Sequence, residues 1–226
     1  MAPPDSSPAT DSAPSDITEL GTLVVETGEL SLRLYTDPFS FELRNTEGQL
    51  ILHTPHEELL AGYGPPTAST TEPSLTADGY TGWLPAQNSV QERVVFDQTI
   101  SGEMTVNGAT IILASSDTEE DTLTVELSAT GNRMDVTYSL NDAARERLST
   151  LGQSFYINDN EQFFGLGERL SSVNHRGHSY YNWNEEMGLA LPEEHLLAPE
   201  NPSPNGPAMT GFPVPFVLST SGYGLW

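Results

Sequence analysis

The chain has 226 residues, with eight basic residues, all arginine, against 32 acidic ones, a formal net charge of −24 and no cysteine. That length can bury one large core, while the charge excludes nucleic acid and anionic membrane surfaces as partners, because phosphate binding needs clustered Lys and Arg. The absent thiols exclude disulfides, thiolate metal sites and cysteine nucleophiles.

Met1 to Asp16 is a Pro, Ser and Asp tract that has too little apolar surface to bury, and residues 1–19 are expected to form a flexible leader. Such tracts follow a cleaved signal or lipid anchor in exported bacterial proteins. An exported protein is therefore expected, with Met1 an added start and the export signal absent from this chain. No stretch approaches the roughly 20 apolar residues that span a bilayer. The acidic residues read as a solvated surface, without the alternating acids and central Gly of a calcium loop.

Alternation begins at Thr22. The run to Thr54 reads as three short strands with turns at Thr27-Gly28, Asp37-Pro38 and Glu47-Gly48. Period-two spacing puts Leu30, Leu32 and Leu34 on one buried face, and Phe39, Phe41 and Leu43 on another. Ala61 to Gln87, rich in Pro, Gly, Thr and Ser, reads as a long connection with little regular structure. Strand signals resume at Glu92–Phe96 and Glu103–Val106, where Asn107-Gly108 is a strong hairpin turn. Thr122–Ala129 and Arg133–Leu140 form a further pair around Thr130-Gly131-Asn132. Residues Asp142 to Leu151, with Asn141 as N-cap, read as a short helix or as an irregular loop.

No repeat of roughly 20 to 50 residues is visible, which removes propellers and solenoids. Short strands with turn signals roughly every 8 to 12 residues predict an all-β, two-sheet antiparallel sandwich with one short helix. A fold of this kind serves carbohydrate-binding modules, adhesins, capsid proteins and accessory enzyme domains alike.

Three motifs in the last third narrow the field. Phe163-Phe164-Gly165-Leu166-Gly167-Glu168-Arg169 resembles the "FYGLGER" signature of glycoside hydrolase family 31. Arg176-Gly177, followed by Asn182-Trp183-Asn184, resembles the family's Arg-Gly and Trp-Asn elements. Phe212 to Leu225, FPVPFVLSTSGYGL, is similar to its "PVPFFLSSRGYGL" strand pair. The opening strands, with their "DPF" turn, are similar as well. The resemblance implies that residues 20–226 form the family's N-terminal, galactose mutarotase-like sandwich, ending before the catalytic (β/α)₈ barrel.

The same residues also have a direct physical reading. Gly165 and Gly167 suit a strand where close backbone approach or a bend excludes side chains. Glu168 beside Arg169 reads as an ion pair or a partner for loop amides, since a lone carboxylate cannot do acid–base work on a glycoside. Pro213 and Pro215 remove two donors, as at an edge or the start of a strand. His175, His178 and His195 lack the spacing of a metal site, and no cofactor is expected. No G-x-S-x-G elbow is present.

Asn182 to Pro213 is irregular, with five prolines before Pro213. In the resembled family a loop here reaches the mouth of the barrel, which makes Trp183, Asn184, Glu185 and Glu186 the candidates for sugar contact. Trp can stack on a pyranose face, and carboxylates accept bonds from hydroxyls. The plainer alternative makes Trp183 a core anchor and the glutamates a solvated turn. The resemblance implies a parent that hydrolyses or transfers α-linked glucose-like or xylose-like units through two carboxylates held by the barrel. This chain alone is then inactive. A complete carbohydrate-binding or adhesin-like module is the competing class, and a surface domain that binds no sugar stands beside it. Glu185-Glu186-Met187-Gly188 also looks somewhat like the sulfoquinovosidase branch, although a sulfonate needs basic partners that this loop lacks.

Overall fold

A computed structural model describes residues 21–57, 64–72, 75–78, 82–85, 89–118, 120–169, 172–178, 180 and 210–226. The opening alternation forms an antiparallel meander of four strands, β1 (Thr22–Glu26), β2 (Leu30–Thr36), β3 (Phe39–Asn45) and β4 (Leu50–His53). The three expected turns thus separate four strands instead of three. The first and third turns have a local cause. Thr27 Oγ1 accepts from the amide of Leu30, and the Asn45 side chain accepts from the amides of Glu47 and Gln49.

The next segment departs from expectation. Residues 61–87, read as a connection, contribute β5 (Thr67–Glu72), β6 (Leu75–Asp78) and β7 (Gly82–Pro85). The run TASTTE supplies β-branched threonines, which favour extended backbone, and its partners lie far away in sequence. β5 pairs with β8 (Ser89–Val95) on one side, and β6 pairs with β7.

A second meander follows: β9 (Gln98–Thr105), β10 (Gly108–Ala114), β11 (Thr122–Thr130) and β12 (Arg133–Leu140), in the sheet order β12-β11-β10-β9. The Asn107-Gly108 and Gly131-Asn132 hairpins stand where the sequence puts them. Helix α1 (Asp142–Arg147) is capped by Asn141, whose Oδ1 accepts from the Ala144 amide at 3.0 Å. It is shorter than the expected Asp142 to Leu151, because β13 (Thr150–Gly152) leaves the helix to pair with β5. The chain closes with β14 (Phe163–Arg169), β15 (Thr210–Ser219) and β16 (Gly224–Leu225), in that order in one antiparallel sheet.

The fold is an antiparallel β-sandwich, as the alternation predicts. Among the described residues the strands group into five sheets rather than two, and one core joins most of them. Leu32, Leu34, Phe39 and Phe41 from the first meander share it with Ile111, Leu113, Leu123 and Val125 from the second. All eight are essentially solvent-free, each contributing on the order of 2 kcal/mol or more through removal of apolar area from water. Ala68, Val94 and Phe96 add the β5–β8 sheet to the same core, and Ala144 and Leu148 add the helix. A smaller cluster of Leu30, Leu43 and Leu52 packs against Tyr223 and Leu225, which seats the last sheet on the first.

Candidate functional site

The glycine-rich strand β14 and the proline-flanked strand β15 pair antiparallel, Phe163 opposite Ser219 and Arg169 opposite Thr210. Between these ends the register jumps, from Gly165 opposite Val217 to Gly167 opposite Pro213. Leu166 alone therefore faces Val214, Pro215 and Phe216, a bulge carried by the proline strand. Gly165, Leu166 and Gly167 have φ values of +109°, +60° and +83°. A Cβ at Gly165 would intrude on the Phe216 carbonyl oxygen, and one at Gly167 on that of Phe212. This is the close backbone approach that the Gly-Leu-Gly spacing predicts. Pro213 and Pro215 lie in a central strand, yet β16 reaches only Val217 and Leu218, so the missing donors cost no ladder bond to β16.

A polar frame locks this pairing. Glu161, only 3% exposed, accepts a bond from the Asn158 amide at 2.8 Å and a short one from the Ser219 hydroxyl. Burial alone would raise its pKa. The bonds from Ser219, Tyr223, Asn158 and Ser221 outweigh that and hold the carboxyl below its usual range. Tyr223 moves the opposite way, raised by burial and by the adjacent carboxylate. Arg176 Nη1 donates to the carbonyls of Asn158 and Glu161, at 2.7 and 2.8 Å, and so ties the turn at Arg176-Gly177 to the start of β14.

His175 is buried behind the bulge. Its Nε2 lies 2.9 Å from the Gly165 carbonyl and its Nδ1 2.9 Å from the Tyr180 hydroxyl. A carbonyl only accepts, so Nε2 carries the proton, and in the neutral ring Nδ1 accepts from Tyr180. Arg169 Nε donates to the Leu166 carbonyl at 2.9 Å, and its guanidinium stands 5.1 Å from the Tyr180 ring centroid. Tyr180 thus links the strained bulge to the start of the segment that follows it.

Gly165, Gly167, Arg169, Arg176 and Gly177, singled out from the sequence, gather in this one region. Glu168 is exposed there and forms no ion pair among the described residues. Trp183, Asn184, Glu185 and Glu186 lie outside the described residues, as does His195. Sequence reasoning passed over Glu161 and Tyr180, and it rejected His175 as a metal ligand in favour of an exposed or hydrogen-bonded histidine without naming the partners it has here. Glu161 directly precedes the glycine signature, but its burial follows from contact with Ser219, which local periodicity does not reveal. Among the described residues no three His, Cys, Asp or Glu side chains gather to hold a metal ion, and no helix is long and apolar enough to cross a membrane.

A family model described as the glycosyl hydrolase 31 N-terminal galactose mutarotase-like domain matches residues 5–226. No curated protein and no solved structure matches the chain.

Proposed function

Because the chain belongs to the glycosyl hydrolase 31 N-terminal galactose mutarotase-like domain family, we propose that it is the platform on which the catalytic (β/α)₈ barrel of an exported, retaining α-glycosidase rests. The observation that carries this reading is the closure of the last sheet. Arg169 pairs with Thr210, so the chain between them leaves and returns at one point of a braced strand pair. A long segment rooted so firmly suits a loop delivered to a fixed place, here the mouth of a substrate pocket.

In this reading the barrel supplies the two carboxyl groups of a retaining mechanism, about 5 to 5.5 Å apart, one forming the glycosyl-enzyme and the other protonating the leaving oxygen. The sandwich supplies position. Trp183 stacks on a glucose-like or xylose-like ring, while Asn184, Glu185 and Glu186 bond its hydroxyls and restrict its orientation. Such binding energy acts through alignment of the scissile bond rather than through proton transfer.

Two measurements test the proposal. The chain alone should release no nitrophenol from nitrophenyl α-glucoside or α-xyloside above a mock preparation, and hydrolysis by the chain alone would overturn the division of labour. In the protein carrying both domains, Trp183→Ala should raise KM by about tenfold with a smaller change in kcat, as loss of binding shared by ground and transition states requires. Unchanged kinetics would remove the loop from the pocket.

A further inference from the structure

The first sheet carries a polar concavity. On β2, β3 and β4 the residues that alternate with the core, Tyr35, Ser40, Glu42 and His53, share the outward face, with Tyr35 opposite Ser40 and Glu42 opposite His53. An outward sheet face is ordinarily open, yet Ser40 is only 8% exposed. The segment carrying Tyr156 rises beside it: the Tyr156 amide donates to the His53 carbonyl at 3.0 Å, and its ring stacks on the His53 imidazole at 4.4 Å and 20°. With Asp37 and His56 at the rim, the result is an open groove of about 460 Å³, within the size range of small-ligand clefts.

We propose that this groove binds a neutral polyhydroxylated ring, a single glycosyl unit. Its chemistry narrows the ligand in three steps. An anion is disfavoured, because Asp37 and Glu42 both line the groove and the nearby Arg44 spends Nε and Nη2 on one oxygen of Glu42, at 2.9 and 2.7 Å. A metal ion is disfavoured, because no three ligating side chains converge among the described residues. What remains is a ring of separated acceptors and donors around aromatic surface. Glu42 keeps Oε1 free to accept, Ser40 offers a hydroxyl, and Tyr35 and Tyr156 supply phenol groups and ring faces. The His53 imidazole has no hydrogen-bond partner among the described residues. Burial, the largest influence, lowers its pKa against the pull of Glu42, and the neutral ring offers one donor and one acceptor. Hydroxyls spread about a pyranose match that distribution, whereas a point charge does not.

The proposal stands apart from the barrel-platform reading, since the chain itself should bind whether or not it rests on a barrel. Amide signals of the full chain are followed by NMR during titration with methyl α-glucoside and methyl α-xyloside. The expected result is saturable shifts at Tyr35 to Glu42 and His53 to His56, with a dissociation constant on the order of millimolar. Binding should weaken about tenfold in His53→Gln and again in Tyr35→Ala, while Val106→Ser, exposed between β9 and β10 and outside the groove lining, leaves it unchanged. Signals from the second meander report whether each variant is folded. Absence of saturable shifts, shifts confined to other residues, or calcium moving the same amides when neither sugar does would each overturn the proposal.

Discussion

Gly167 combines two separate obstacles to a side chain, a φ of +83° and a carbonyl oxygen of Phe212 where the Cβ would stand. Two other glycines isolate each obstacle. Gly131 has φ +57° with nothing near its Cβ position, and Gly108 has no left-handed backbone but would meet the Leu127 carbonyl. Gly131→Ala should therefore cost about 1 kcal/mol, the ordinary penalty for left-handed backbone. Gly108→Ala should cost about 2 kcal/mol or more through backbone displacement, and Gly167→Ala about 3 kcal/mol or more, with both causes acting. Urea midpoints measure the order, and Gly167→Ala as mild as Gly131→Ala would show that the bulge yields. Glu161 supplies a second prediction. Its carboxyl is held below the usual range, so its contribution is complete above the unfolded value of about 4.3 and is lost as pH falls through the lower folded value. Glu161→Gln puts an amide among groups that donate and should cost about 2 kcal/mol at neutral pH. The difference from the parent should shrink in acid, and a gap that stays constant with pH would assign the cost to shape instead of charge.

Among the elements, α1 tests how a short helix survives, at six residues and far below the length of a self-supporting one. Asn141 caps it and also donates to the Glu120 carbonyl at 2.8 Å, while Ala144 and Leu148 lie in the core. Asn141→Ala should cost about 1 kcal/mol in denaturant titration, and a neutral result would mean that core burial alone fixes the helix. The helix was legible in the sequence because a cap is local, and its end was not, because Thr150–Gly152 is drawn off by β5, some 80 residues earlier in the chain. The same division runs through the whole sandwich. Leu30, Leu32, Leu34, Phe39 and Phe41 announce their strands by alternation, and Asn107-Gly108 its hairpin by turn chemistry. Thr67–Glu72 announces nothing, since its threonines suit loops and strands alike and only pairing decides. At the candidate site the glycines were legible from their spacing, whereas the Glu161–Ser219 contact spans 58 positions and depends on a fold already formed.

For the whole molecule the dominant fact is 32 acidic residues against eight arginines. The described arginine ion pairs relieve only part of this: Arg133 with Asp135 and Arg147 with Glu92 join substantially exposed side chains, where each contributes little, and Arg44 with Glu42 joins half-buried ones. The exception reaches inward, since Arg147 donates at 2.6 Å to Asp121, whose side chain is buried, and at 2.8 Å to Glu92. The remaining carboxylates repel one another across a surface wrapped around one shared core, so compaction concentrates charge that unfolding would disperse. Raising ionic strength from about 0.01 M to about 0.15 M shortens the screening length from roughly 30 Å to roughly 8 Å. The melting temperature should therefore rise by several degrees with sodium chloride over that range and rise little further beyond it. Ion-pair-dominated stability predicts the opposite sign, because the same screening would weaken attraction. A melting temperature that falls with salt would place the arginine contacts, above all Arg147 with Asp121, ahead of the net charge as the controlling electrostatic influence on this fold.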